Sequence, residues 1–149
     1  MQLQKEISTS GFENIHQQAI VNVIFTFHWC NDKIKQAIAP YEITPQQFNI
    51  LRILRGQHPQ PCTINLLKSR MLDKMCDASR IVDRLVQKDL VIKAVNTQDK
   101  RSVDILVSER GLSLLKTTDK EVDLTKLISP NLTDEESEQL NILLDKMRG

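Results

Sequence analysis

Asp77-Ala78-Ser79-Arg80-Ile81-Val82-Asp83-Arg84-Leu85-Val86-Gln87-Lys88-Asp89-Leu90-Val91 combines an apolar stripe and a cationic stripe in one short run. Ala78, Ile81, Val82 and Leu85 recur at i, i+3, i+4 and i+7, which is one face of a helix. Ser79, Arg80, Asp83, Arg84 and Gln87 fall on the opposite arc. Asp77 is a good N-cap, so the spacing predicts a helix from Asp77 to about Lys88. Ile81 and Leu85 are expected to anchor it, with Asp83 an ion-pair partner of Arg80 or Arg84.

The period changes on the C-terminal side. Residues 91–95 are rich in β-branched side chains, residues 96–101 are polar and turn-prone, and Val103, Ile105 and Val107 alternate with Ser102, Asp104 and Leu106. Such alternation predicts a two-stranded hairpin, here with a charged tip carrying Lys100 and Arg101. On the N-terminal side, Thr63 can cap a short helix with Leu67 and Met71 buried. Before it, residues 56–61 hold Gly56, Pro59 and Pro61 and form a loop. Thr44, Pro45 and Gln47 form a capping box opening a helix buried through Phe48, Leu51 and Leu54. Residues 12–39 place Phe12, Ile15, Ala19, Val23, Phe27, Ile34 and Ile38 at helical steps, and Pro40 ends that long helix.

Beyond the hairpin, Ser108 can cap a helix reaching about residue 128, before Pro130. Thr133 with Glu136 is another capping box, and its helix carries Leu140, Leu143, Leu144 and Met147 on one face. Two short helices, a tight junction and a hairpin with a basic tip are the order of a winged helix-turn-helix. The fold class is therefore mostly α (α+β): a winged helix-turn-helix with a two-stranded wing, plus long N- and C-terminal helices. The expected division is an N-terminal dimerisation helix over residues 1–40, a DNA-binding domain over 41–107 and C-terminal dimerisation helices over 108–149.

Composition agrees with this class. The chain has 149 residues, 40% hydrophobic and 26% charged, with only 4 glycines and 5 prolines, so helix is favoured over a turn-rich β fold. A chain of this length buries enough surface to fold without disulfide or metal. No stretch is apolar for long enough to span a bilayer, and residues 1–10 lack the apolar core of a signal peptide, so no membrane role and a cytoplasmic location are expected. The net charge of +1 conceals a gradient. Residues 41–107 carry 11 basic and 7 acidic side chains, whereas residues 108–149 carry 6 and 9. A basic centre suits a meeting with an anion.

The stretch Ser79-Arg80-Ile81-Val82-Asp83-Arg84-Leu85, followed by Lys88-Asp89-Leu90-Val91, resembles the recognition helix and exit of the MarR family of transcription regulators. Asp99-Lys100-Arg101, followed by Val103, Ile105, Ser108 and Gly111, is similar to that family's wing and the strand and helix start behind it. The resemblance covers nearly the whole chain. It implies a homodimeric regulator, a repressor before an activator, bound to a pseudo-palindromic site on double-stranded DNA. It assigns Ser79, Arg80 and Arg84 to the major groove and Arg101, oriented by Asp99, to the minor groove. Lys100 reaches the same groove or its phosphates, and Thr63, Lys68 and Lys74 lie near phosphate. Two features depart from the pattern. Asp89 stands where the family usually has a glycine in left-handed backbone. Leu72 and Met75 occupy a turn that is usually smaller or more polar, and one of them is expected to pack inward.

The flanking helices exceed what a winged helix needs. Their apolar residues, Ile15, Ala19, Val23, Leu140, Leu143, Leu144 and Met147, are expected to meet a second copy, which would space two recognition helices about one DNA turn apart. His28, Trp29 and Tyr41 are candidates to line a pocket for a small aromatic ligand, as the family resemblance implies, or are interface and core residues. Cys30 reads either as an oxidant sensor assisted by Lys33 or as a small buried hydrophobe. Cys76 and Cys62 carry weaker versions of the same choice. No cofactor is expected. His58 with Cys62 is too sparse for a metal site, and no Cys-x-x-Cys pair is present. No nucleophile–His–acid set, carboxylate pair or phosphate-binding glycine loop points to an enzyme. The rival reading is a winged helix that binds protein instead of DNA.

Overall fold

The computed structural model describes residues 2–96 and 102–149. In chain order it contains α1 (Leu3–Glu6), α2 (Ile15–Ile38), a 3-10 turn (Ala39–Tyr41), α3 (Pro45–Gln57), α4 (Ile64–Arg70), α5 (Ala78–Gln87), β1 (Val91–Val95), β2 (Val103–Val107), α6 (Glu109–Glu121), a second 3-10 turn (Leu124–Leu127) and α7 (Asp134–Arg148). This is a mostly helical winged helix-turn-helix with a two-stranded wing and long terminal helices.

Caps set most of the boundaries. Thr44 and Gln47 exchange both bonds of the capping box, at 3.2 and 3.1 Å, and Thr133 with Glu136 does the same for α7. The long second helix starts later than its apolar stripe suggests. Asn14 Oδ1 accepts from the backbone N–H groups of His16 and Gln17 at 3.0 and 2.9 Å, so the cap lies beyond Phe12. The helix after Ser108 is also shorter than expected: α6 stops at Glu121 rather than near residue 128. Asp123 Oδ1 accepts from both the backbone N–H and the hydroxyl of Thr125, at 3.0 and 2.6 Å. That local bonding opens a new turn instead of prolonging the old helix.

The chain divides into two compact units. One comprises Ala37–Val122, the other Met1–Gln36 together with Asp123–Gly149. Every buried residue among the described ones belongs to the first unit. Its core joins Phe48, Ile50, Leu51 and Leu54 of α3, Leu67 of α4, Ala78, Val82 and Leu85 of α5, Ile105 and Val107 of β2 and Leu115 of α6. Ile81 is only half-buried, so Ala78, Val82 and Leu85 anchor α5 and the expectation for Ile81 is corrected. The stripe has more apolar positions than the contact is wide, and Ile81 sits at its margin.

β1 and β2 pair antiparallel, with Val91 opposite Val107 and Val95 opposite Val103. Cys62 is no simple loop residue. It exchanges two backbone bonds with Ile105, at 2.8 and 2.9 Å, and its side chain is buried. This bridge fixes the start of α4 against the hairpin.

A tight junction closes α5. Asp89 is left-handed at φ 58°. The Leu90 N–H returns to Leu85 O at 3.0 Å and the Asp89 N–H to Val86 O at 2.9 Å, which is the bonding of a Schellman cap with aspartate in glycine's place. The Ser108 hydroxyl donates to Asp89 O at 2.6 Å while accepting from the Gly111 N–H at 3.0 Å. A Cβ built on Gly111 would lie 2.3 Å from Leu90 O, so only glycine lets α6 approach this corner.

Candidate nucleic-acid interface

α5 presents the arrangement that groove reading demands. Asp77 accepts from the Arg80 N–H at 3.1 Å and caps the helix. Val82 and Leu85 point into the core, and Ser79, Arg80, Asp83, Arg84 and Gln87 all lie exposed on the other side. Asp83 is held by the Lys93 ammonium of β1, not by Arg80 or Arg84 as expected. The expectation overlooked Lys93 because its neighbours Val91 and Val95 mark β1 as a plain apolar strand. Position 93 lies on their face, where a lysine reaches back to α5. As a result, neither Arg80 nor Arg84 has a hydrogen bond or ion pair with any described residue. Among the described residues both guanidinium forks lack a partner. An arginine fork matches guanine O6 and N7, or two phosphate oxygens.

The remaining candidates occupy the surrounding surface. Thr63 is exposed, and its hydroxyl accepts from the Leu66 N–H at 3.2 Å as the cap of α4. Lys68 is exposed, with no hydrogen bond or ion pair to a described residue. The Lys74 ammonium donates to Ser69 O at 2.6 Å, so it is partly engaged within the turn between α4 and α5. Asp99, Lys100 and Arg101 lie outside the described residues. The hairpin that carries them is described up to Asn96 and from Ser102, where the Asn96 N–H meets Ser102 O at 3.1 Å. The Lys93–Asp83 pair ties that hairpin to α5 and places both on one surface.

Two further basic residues have structural ties. The Lys88 ammonium donates to the Glu42 carbonyl, and Arg70 donates to Gln57 Oε1 at 2.6 Å. A cleft of about 360 Å³ lies between the start of α4, the start of α5 and the hairpin, lined by Thr63, Asn65, Ser79, Lys93 and Ser102 among others. Asn65 and Ser102 were not singled out from the sequence, because isolated polar residues at a helix start and a strand start carry no pattern.

The candidates for ligand or redox sensing divide between the units. His28, Trp29 and Cys30 lie on α2, where His28 is exposed and makes an edge contact with Phe27 at 5.3 Å between ring centroids. Tyr41 belongs to the other unit, and its hydroxyl donates to Glu121. Burial pushes the Cys30 thiol above its usual pKa, with no offsetting effect of Lys33. Burial likewise raises Cys62, and burial followed by the nearby Asp73 raises Cys76. All three are thereby held in the thiol form, the less nucleophilic one. Among the described residues no cluster could hold a metal ion, and no helix is long and apolar enough to cross a membrane.

Comparison with known proteins agrees with this geometry. Residues 43–103 match the MarR family pattern. The chain is 26% identical to the HTH-type transcriptional regulator MhqR of Bacillus subtilis over 119 residues, spanning 78% of this chain and 80% of that protein. It is 29% identical to the multiple antibiotic resistance protein MarR of Escherichia coli over 127 residues, 80% of this chain and 86% of the relative. A crystal structure of a mutant Escherichia coli MarR complexed with operator DNA superposes with a TM-score of 0.77 at 26% identity, covering 99% of each chain. A capped helix whose two arginines have no partner among the described residues, a hairpin tied to its flank and these relatives along most of its length make the chain similar to the MarR family of transcription regulators.

Proposed function

We propose that this protein is a homodimeric repressor that reads a pseudo-palindromic operator through Ser79, Arg80 and Arg84 and is released by a small molecule. The observation that carries the reading is the state of the two arginines. They are exposed, one helical turn apart and free of partners among the described residues, while the nearby acids Asp77 and Asp83 are occupied elsewhere. A surface that merely solvates itself would be expected to pair them. Thr63 and Lys68 supply flanking phosphate contacts, and Asp99, Lys100 and Arg101 are assigned to the minor groove by family likeness. The exposed residues Ile15, Ala19, Val23, Leu140, Leu143 and Met147, with the half-buried Leu144, supply apolar surface for a second copy. By family likeness the releasing molecule is a small aromatic or phenolic compound, with His28 and Trp29 of the flanking unit as the candidate contacts.

Selection of bound sequences from random duplex DNA tests the reading. The expected result is a two-fold symmetric motif with half-sites about one turn apart. Arg80→Ala or Arg84→Ala should weaken binding to that motif by about 1–3 kcal/mol and relax preference at one base step per half-site. Affinity should fall steeply with salt. Absence of any enriched motif, with salt-independent binding of a protein partner instead, would favour the protein-binding rival.

A further inference from the structure

Leu72 and Met75 are the two most solvent-exposed large hydrophobic side chains among the described residues, at 87% and 94%. The sequence led us to expect one of them inside, and neither is. Their exposure is not that of a loose loop. The Leu72 N–H donates to Asn49 Oδ1 of α3 at 3.1 Å, and the Met75 N–H to Asp73 Oδ1 at 3.0 Å. The Lys74 ammonium closes on Ser69 O, and the Cys76 thiol donates to Asp73 O at 3.1 Å. Met71 beside them is buried. The turn between α4 and α5 is therefore pinned through its own backbone while two apolar side chains stand out from it.

Their position names the occupant. Met75 lies immediately ahead of Cys76 and the cap residue Asp77, so it adjoins the helix end that carries Ser79 and Arg80. Lys68, Lys74 and Arg80 flank the pair in sequence, and Asp73 and Asp77 already accept backbone bonds. An apolar patch with a cationic rim fits a polyanion that offers methyl groups. Duplex DNA offers them in the major groove, where the thymine C5-methyl stands beside the phosphate wall.

We infer that Leu72 and Met75 are specificity-determining residues that contact thymine methyl groups at the edge of each half-site. The inference rests on the reading that α5 enters the major groove. It adds apolar recognition to the hydrogen-bond recognition of Arg80 and Arg84, and it requires an A·T pair at a defined offset from the bases those arginines read.

The test uses the full-length protein and duplexes carrying the selected operator, with binding followed by fluorescence anisotropy. Each thymine in turn is replaced by uracil, which removes only the methyl group. Wild type should lose about fivefold to tenfold in affinity at one or two thymines per half-site, in line with the usual cost of one wrong base pair. The double variant Leu72→Ser/Met75→Ser should lose a similar factor on the intact operator and be indifferent to uracil at those positions. Met75→Leu, which keeps an apolar contact, should retain most of the uracil sensitivity. The slope of affinity against salt should be the same for all proteins, since no phosphate contact is removed. Equal binding by wild type and double variant, or identical uracil sensitivity in both, overturns the inference while leaving DNA binding intact; that result would also leave a protein partner as the patch's occupant. Wild type that selects no motif at all overturns the reading of α5, and this inference with it.

Discussion

The two units use the same apolar residue types at the same helical spacing, yet only one of them closes a core. In Ala37–Val122, Leu51, Leu67, Val82, Leu85 and Leu115 are fully enclosed. In the other unit no described residue is buried, and Ile20, Ile24 and Phe27 of α2 and Leu140, Ile142, Leu143 and Met147 of α7 stand largely open. Monomeric proteins seldom leave so many large apolar groups exposed on neighbouring turns. A stripe in a sequence says which face avoids water but not what covers that face. The winged-helix unit supplies its own cover through α3, α5, α6 and the hairpin. The flanking helices await theirs.

A matched pair of truncations tests this difference. Leu85→Ala removes an enclosed side chain and should cost about 3 kcal/mol of stability in urea unfolding, whatever the protein concentration. Leu143→Ala removes a side chain that is 55% exposed in the single chain. If a second copy covers it, the loss is about 1 kcal/mol and the unfolding midpoint of the wild type rises with protein concentration. Sedimentation should show the same variant shifting the protein towards monomer. A concentration-independent midpoint together with a neutral Leu143→Ala would break the comparison, because the flanking helices would then need no partner.

The corner between α5, the hairpin and α6 is where the closed unit has least tolerance. Gly111→Ala should cost about 2 kcal/mol, because the new methyl would meet Leu90 O at 2.3 Å and Val107 Cγ2 at 2.8 Å. Backbone must move to relieve that contact, so the hairpin and α5 should shift relative to each other and operator affinity should fall as well. Thermal unfolding and anisotropy on the same protein check both effects. An unchanged melting temperature would mean that α6 does not press on this corner.

Much of the fold was legible in the sequence because caps and periodicity act locally. Thr44, Thr63, Asp77, Ser108 and Thr133 each announce a helix start and each accepts the expected backbone bond. The alternation of Val103, Ile105 and Val107 fixed the strand and the inward face of Ile105 and Val107. What escaped reading depends on contacts between distant segments or on competing local bonds. Ile81 shares the stripe of α5 but is only half-buried. Asp83 was given to an arginine on its own helix, whereas the hairpin brings Lys93 to it. The early end of α6 comes from Asp123 bonding Thr125, a competition that periodicity does not register. Leu72 and Met75 look like core residues by composition alone, and only the pinned backbone of the turn reveals that they face outward.

The smallest expected effect sits at Asp89, which with Glu42 is one of two non-glycine residues of the closed unit in left-handed backbone among those described. Asp89 occupies left-handed backbone at φ 58°, where a Cβ is disfavoured and glycine is not. Its carboxylate lies 3.6 Å from Arg110, but both groups are mostly exposed, and such pairs contribute little. Asp89→Gly should therefore relieve strain, partly offset by the greater freedom of glycine in the unfolded chain. The net gain should be about 0.5 kcal/mol, raising the melting temperature by roughly 1–2 °C. The backbone bonds from Asp89 and Leu90 to the last turn of α5 remain in the variant, so the helix angle and operator affinity should not change. A fall in stability instead would show that the Asp89–Arg110 contact holds α6 to the exit of α5 more firmly than its exposure implies. That outcome would move part of the closed unit's stability from its apolar core to its rim.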